Sequence, residues 1–400
     1  MSGLSQAQVS ASARVRRAGL GLVLSAAAAL MAGCSGISPA NPPPQPAAEA
    51  VPPIGSGQVR VALILPLTAG GNVGLAAQSM KNAAEMALAE FNSPNIQLLV
   101  KDDAGTAPGA QQAAQQAIEE GAEIIIGPLL AQTVGPVGQI ARGRGVPVIA
   151  FSTDSNVAAR GVFLLSFMPE SDVDRIVDFA VASGKRSFVA LMPENDYGSV
   201  LEGEFKQAVA RRGARIVALE RYPLDRAAMQ PRIKVAAQAA ARADAIFIPD
   251  GADAVPLVVQ TLASNGVAVK RTQLLGTGLW DDPAIVADPA LHGALFAGPD
   301  PAGYRNFIGR YRGRFGQDPV RTATLAYDAV ALVAALVKTQ GPQRFTEEVL
   351  LNPSGFAGID GIFRFRADGT NQRGLAVMRV TPSGPQVINP PPRSFGASGT

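Results

Sequence analysis

The sequence predicts an α/β fold of two doubly wound, Rossmann-like lobes joined by a hinge, and three observations lead there. Short apolar runs without polar alternation recur along the chain, as parallel strands buried on both faces require. Alanine-rich stretches with helical spacing separate them, as right-handed crossovers do. The alternation pauses near residues 162–167 and then restarts, and 400 residues with 47% hydrophobic side chains suffice for two cores.

In the first series, Val59–Leu65 (VRVALIL) reads as a strand, 75–91 as a helix, 96–100 as a strand, 108–120 as a helix, 123–126 as a strand, 133–144 as a helix and 147–151 as a strand. The second series places helices at 172–182, 198–211, 226–240 and 254–264, with strands at 187–192, 215–219, 245–249 and 273–276. Two successive doubly wound units follow. Helices are then expected at 304–315 and 322–338, and strands at 361–366 and 374–380 joined across Asp368-Gly369, a hairpin signal. The first lobe is expected to take 58–168 and part of 299–340, the second 169–298 and 355–388. Residues 389–400 are expected as a disordered tail.

The amino terminus reads as an address. Arg14, Arg16 and Arg17 precede an apolar run at 18–30, shorter than the ~20 residues of a permanent membrane helix, so residues 1–33 read as a signal peptide. The run ends in Leu30-Met31-Ala32-Gly33-Cys34, which resembles the bacterial lipobox, whose cysteine thiol accepts diacylglycerol. Acylation would anchor the chain stably at ~0.8 kcal/mol per buried methylene. Ser35, where an Asp would retain a lipoprotein in the inner membrane, favours the outer one. Residues 34–57 contain Pro42-Pro43-Pro44 and read as an extended tether. The chain is thereby expected in the periplasm, touching the membrane through its anchor only.

The formal charge is +3, and removing residues 1–33, whose only charges are the three arginines, takes it to zero. With 17% charged residues the mature chain lacks the basic stripe that nucleic-acid binding needs. A single cysteine permits no intramolecular disulfide and no cysteine-rich zinc site. No phosphate-loop, H-E-x-x-H or G-x-S-x-G motif occurs, and His292 is the only histidine. No catalytic frame, cofactor or metal site is implied, and the chain reads as non-enzymatic. The pairs Asp102-Asp103 and Asp281-Asp282 read as neighbours that point apart or cap helices. Asn195-Asp196-Tyr197-Gly198 stands where a strand turns into a helix, at the sheet edge where open α/β sheets bind ligands. It reads equally as a helix cap with a packed tyrosine. Trp280, the only tryptophan, reads as a cleft lid or as core.

The phrases VALILPL (61–67), IGPLLAQTV (126–134), PVIAFSTD (147–154), ENDYG (194–198) and FAGIDGIFRFRADG (356–369), in this order, resemble the leucine/isoleucine/valine-binding, type I periplasmic-binding-protein family over 58–388. GPLLA, the run 163–170 and the lipobox most resemble the lipoproteins called penicillin-binding-protein activators. The resemblance implies a ligand cleft between the lobes. Members that bind amino acids hold the carboxylate with a serine and a threonine, and the ammonium with an acid from the second lobe. Those positions fall here at Ala131, at Asp154 and near 276–278, where the carboxylate is lost unless Asp281 or Asp282 substitutes, so the amino-acid site is eroded, while Tyr197 matches the family's tyrosine. The expected cleft residues are Thr68, Asn72, Ala131, Gln132, Thr133, Ser152, Thr153, Asp154, Asn195, Asp196, Tyr197, Asp250, Trp280 and Asp281.

Two readings follow from the resemblance. The first is an activator whose partner is a periplasmic peptidoglycan synthase, a penicillin-binding protein. The second is a solute receptor that closes on an amino acid or similar polar molecule and delivers it to an ABC permease.

Overall fold

The computed structural model describes residues 52–92 and 94–395. The expected signal peptide, Cys34, Ser35 and the proline cluster at 42–44 lie outside the described residues. The first series is β1 (Val59–Leu65), α1 (Gly71–Glu90), β2 (Ile96–Asp102), α2 (Ala107–Glu119), β3 (Ile124–Ile126), α3 (Ala131–Arg142), β4 (Val148–Ala150) and β5 (Val162–Leu164). These strands form one parallel sheet in the order β2-β1-β3-β4-β5. Alternation of side chains across the pleat explains the unbroken apolar run of β1. Val61, Leu63 and Leu65 enter the core on one face, and Ala62 and Ile64 the core on the other. Each such fully buried branched side chain contributes about 1.5–3 kcal/mol.

Helix α1 starts four residues before the expected 75, because Gly71-Asn72-Val73-Gly74 carries no apolar period. A Cβ at Gly74 would lie 2.0 Å from the Ala69 carbonyl oxygen, so the loop can fold back on the helix only over a glycine. Ile54, inside the expected tether, already exchanges backbone hydrogen bonds with Leu98 at 3.0 and 2.8 Å.

The second series is α4 (Pro169–Ala182), β6 (Ser187–Pro193), α5 (Asp196–Arg211), β7 (Arg215–Tyr222), α6 (Arg226–Ala240), β8 (Ala245–Phe247), α7 (Val255–Ser264), β9 (Gln273–Gly276), α8 (Pro283–Ala287) and β10 (Leu295–Gly298). Then come α9 (Pro301–Phe315), α10 (Ala323–Thr339), α11 (Glu347–Leu350), β11 (Phe356–Gly358), β12 (Gly361–Phe365), β13 (Asn371–Arg373), β14 (Ala376–Thr381) and β15 (Gly384–Asn389). The second sheet runs β15-β14-β10-β9-β8-β6-β7, with β14 and β15 antiparallel to their neighbours.

The carboxyl-terminal part departs from expectation in two ways. The Asp368-Gly369 turn joins β12 to β13, but after Arg373 the chain leaves that pair and enters the second sheet as β14, so the expected long strand at 374–380 belongs to another layer. Phe363 and Phe365 are buried in the core of α1 and α10, which puts residues 356–365 with the first lobe rather than the second. Residues 389–395, expected within a disordered tail, run largely exposed but are tied to the body at Asn389 and Phe395. Asn389 accepts a hydrogen bond from Arg175, and the Arg364 guanidinium lies 4.7 Å from the Phe395 ring centroid.

The chain thus passes between lobes three times, from β5 to α4, from β10 to α9 and from β13 to β14. Among the described residues no helix is long and apolar enough to cross a membrane.

Candidate functional site

All three crossings line one cavity of about 220 Å³ between the lobes. Phe167, Met168 and Pro169 come from the first crossing, Pro299 from the second, and Arg373 and Leu375 from the third. The second lobe contributes Asp172 from the first turn of α4, Tyr197 from α5, and Gly278 and Leu279 from the turn after β9. Ligands of open α/β sheets bind at this kind of strand-end crevice.

The second-lobe wall is polar at its centre. The Asp172 Oδ2 accepts a hydrogen bond from the Gly278 N–H at 2.9 Å. Burial, reinforced by the nearby Glu170 charge, pushes the Asp172 carboxyl up to about 7, while the Gly278 N–H pulls it back. The Tyr197 hydroxyl lies 3.1 Å from the Thr277 Oγ1, and Thr277 is fully buried. Burial, with the charge of Asp172 next, keeps that phenol well above its ordinary range.

The hinge wall is made of stacked cations. Arg321 lies over Phe167 at 4.4 Å and over Tyr304 at 4.3 Å, and its fork binds Asp360 at 3.0 and 2.6 Å. Arg373 lies between Phe167 and Phe363, at 4.9 and 5.5 Å, and donates from Nε to the Ser166 carbonyl at 3.0 Å. Burial lowers the Arg373 pKa, and the carboxylates of Asp360 and Asp328 oppose that effect. Burial also pushes Asp328 up to about 7, with Arg373 pulling it down.

Of the fourteen cleft residues expected from the sequence, only Tyr197 lines this cavity. Several others bond within the first lobe's own loops. Thr68 N donates to Asp102 Oδ1 at 3.3 Å, Gln132 Nε2 to the Gly105 carbonyl at 2.7 Å, and Thr133 Oγ1 to the Leu130 carbonyl at 2.8 Å. Asn72 is exposed in the first turn of α1, and Ala131 opens α3. Ser152 Oγ accepts from Asp154 N at 3.1 Å, Thr153 is exposed, and Asp154 caps a short turn through Asn156 N.

In the second lobe, Asn195 caps α5 by accepting from Gly198 N at 2.8 Å, with Asp196 exposed beside it. Asn195 and Asp250 line a separate hollow of about 830 Å³ against α6 and α7, where Tyr222 donates to Asp250 at 2.6 Å. Trp280 is fully buried in the second-lobe core. A Cβ on Gly276 would lie 2.2 Å from its indole, so the ring packs flat on that glycine and cannot act as a lid. Asp281 follows it at the surface.

Sequence reasoning missed Asp172, Phe167, Arg321 and Arg373. Asp172 had a weak signal, an acid in the first helical turn behind Pro169, which is also what an ordinary helix start shows. Among the described residues, no group of His, Cys, Asp or Glu could hold a metal ion. The arrangement offers hydrogen bonds, charge and apolar surface to a small molecule, as a binding site does.

No curated protein matches the sequence. Solved structures do match the fold. One from Rhodospirillum rubrum, described as a candidate branched-chain amino acid ABC transporter, aligns with a TM-score of 0.72 at 20% identity over 82% of this chain and 99% of its own. A branched chain amino acid ABC transporter periplasmic ligand-binding protein from Burkholderia xenovorans gives 0.65 at 18% identity, over 85% and 97%. A solute binding protein of an ABC transporter from Rhodopseudomonas palustris, in complex with 3,4-dihydroxy benzoic acid, gives 0.58 at 21% identity, over 84% and 97%. At these identities the likeness shows the fold. The model of the family described as periplasmic binding protein matches residues 58–385, and the chain therefore belongs to that family of binding proteins, which are not enzymes.

Proposed function

We propose that this chain is the solute receptor of an ABC permease and takes a small molecule in the cavity between its lobes. The observation that carries this reading is that all three crossings line that cavity, so a ligand there would bridge both lobes and the hinge at once. A ligand shifts the open–closed equilibrium only by its differential affinity, and such bridging contacts supply it. The cavity is smaller than the roughly 300–1,000 Å³ of sites for drug-sized ligands, which suits a single ring or a short branched chain. The relatives described as ABC-transporter binding proteins support the same reading.

The activator reading, placed first on the sequence resemblance, gives way here, because family and relatives favour the receptor. An ABC permease thereby replaces the peptidoglycan synthase as the expected partner. Anchoring through Cys34 remains part of the proposal, and replacing Cys34 by serine should release the protein from the membrane fraction.

The test is a thermal-shift titration with branched-chain amino acids, benzoates and amines. A receptor gains about 2.7 kcal/mol at a hundredfold excess over Kd. A melting temperature unmoved by every compound contradicts the proposal.

A further inference from the structure

We propose that residues 389–395 form a strap that links the second lobe back to the first across the hinge and limits how far the lobes can turn. The inference goes beyond the receptor reading and stands whether or not the cavity takes a solute. The strap lies past residue 385, where the match to the family model ends. It starts at Asn389, the last residue of β15 on the edge of the second sheet, whose side chain accepts a hydrogen bond from Arg175 of α4. It ends at Phe395 on the first lobe. There the ring centroid lies 4.7 Å from the Arg364 guanidinium, and a Cβ on Gly355 would lie 2.8 Å from the ring, so Phe395 sits in a notch that a glycine leaves open. Arg364 of β12 is itself held, donating to Gln372 at 2.9 Å and to the Pro353 carbonyl at 3.0 Å.

Between the two ends stand Pro390-Pro391-Pro392. Consecutive prolines fix φ and favour an extended, semi-rigid chain of about 3.1 Å per residue, so the strap acts as a strut and not as a slack tether. The strut runs over the third crossing. On the first-lobe side of that crossing Arg373 donates from Nε to the Ser166 carbonyl at 3.0 Å, and on the second-lobe side the Leu375 carbonyl accepts from Arg175 Nε at 2.8 Å. Gly374 is the residue left between those two anchors, and a residue without a Cβ turns most freely. A Cβ there would lie 2.8 Å from Ile362 Cγ1 and 3.2 Å from Pro392 Cγ, so the strut packs directly on the pivot. Arg175 thus grips both links where they enter the second lobe, the crossing at Leu375 and the strap at Asn389. With the pivot covered and the strap fixed at both ends, the lobes turn only as far as the strut allows.

The test needs no ligand. Spin labels at Leu75→Cys and Val200→Cys, in the full chain carrying Cys34→Ser, report the distance between the lobes. Hydrogen exchange of the Gly374 amide, which donates to the Ile362 carbonyl at 2.8 Å, reports the pivot. Phe395→Ala unhooks the strap, and Pro390→Gly, Pro391→Gly and Pro392→Gly together slacken it with the hook in place. In both variants the distance distribution should broaden and the Gly374 amide should exchange about tenfold faster, the effect of losing one modest contact. Phe395→Trp, which keeps a ring on Arg364, should behave as the parent. An unchanged distribution and unchanged exchange in Phe395→Ala overturn the inference. An equal gain in exchange across the core amides of β1 and β6 overturns it too, since that marks a loss of global stability and not a freed hinge. A triple-glycine variant indistinguishable from the parent contradicts the strut.

Discussion

The two walls of the inter-lobe gap carry similar polar residues but use them differently. On the first lobe, the side chains of Gln132, Thr133 and Ser152 bond to carbonyls and an N–H of that lobe's loops, and Thr68 is tied to Asp102 through its backbone N–H. Asp103 belongs to the same pattern, fully buried with Oδ1 on Gly105 N at 2.9 Å and pushed up by burial. On the second lobe, Asp172 and Tyr197 each keep one internal bond and still line the cavity. A hydroxyl in a cleft loop is therefore no sign of ligand contact until its local partner is known, since Ser and Thr readily bond to nearby backbone. The polar groups of the first wall are spent on its own lobe, and under the receptor proposal the second wall with the hinge is the recognising surface.

The largest expected effect separates core from cleft. Trp280→Ala should lower unfolding free energy by about 3–5 kcal/mol in a denaturant titration, as deleting a fully buried large aromatic does. A loss below 1 kcal/mol would return Trp280 to the cleft surface. The next effect has the opposite sign. Asp172 has a folded-state carboxyl raised to about 7 from 3.8, so as pH climbs through that window the unfolded chain ionises freely while the folded one resists. Folded stability falls over that window on account of this group. Asp172→Asn should therefore match the parent near pH 4 and exceed it by up to about 4 kcal/mol at pH 8. A pH-independent difference between the two would show that burial does not govern this carboxyl. The smallest effect is expected on the first wall, where Gln132→Ala removes one bond from an exposed side chain. It should cost about 0.5 kcal/mol or less and leave ligand affinity unchanged. A tenfold loss of affinity there would move the site towards the first lobe.

The alternating strands and helices were legible because buried parallel strands write themselves as apolar runs, as Val59–Leu65 and Ser187–Pro193 do. Leu295–Gly298 was not, since four residues flanked by glycines and prolines carry no period, although all four are buried. The exchange of the chain between layers at Gly374-Leu375 was equally hidden, because a hairpin signal fixes the turn and not the later path of its second strand. Tyr197 lines the cavity as its place at a helix start on a sheet edge led one to expect. Asp172, Arg321 and Arg373 were missed because they converge from parts of the chain about 50 to 200 residues apart, and nothing local distinguishes them from surface charges.

The central claim is that the lobes close on a ligand. Leu75 on α1 and Val200 on α5 are exposed at 66% and 40%, one on each lobe, and serve as labelling positions after substitution by cysteine. With Cys34 replaced by serine, the spin-label distance between them should shorten and narrow when a binding ligand is added at saturation. An unchanged distance in the presence of a ligand that calorimetry shows to be bound would contradict the account.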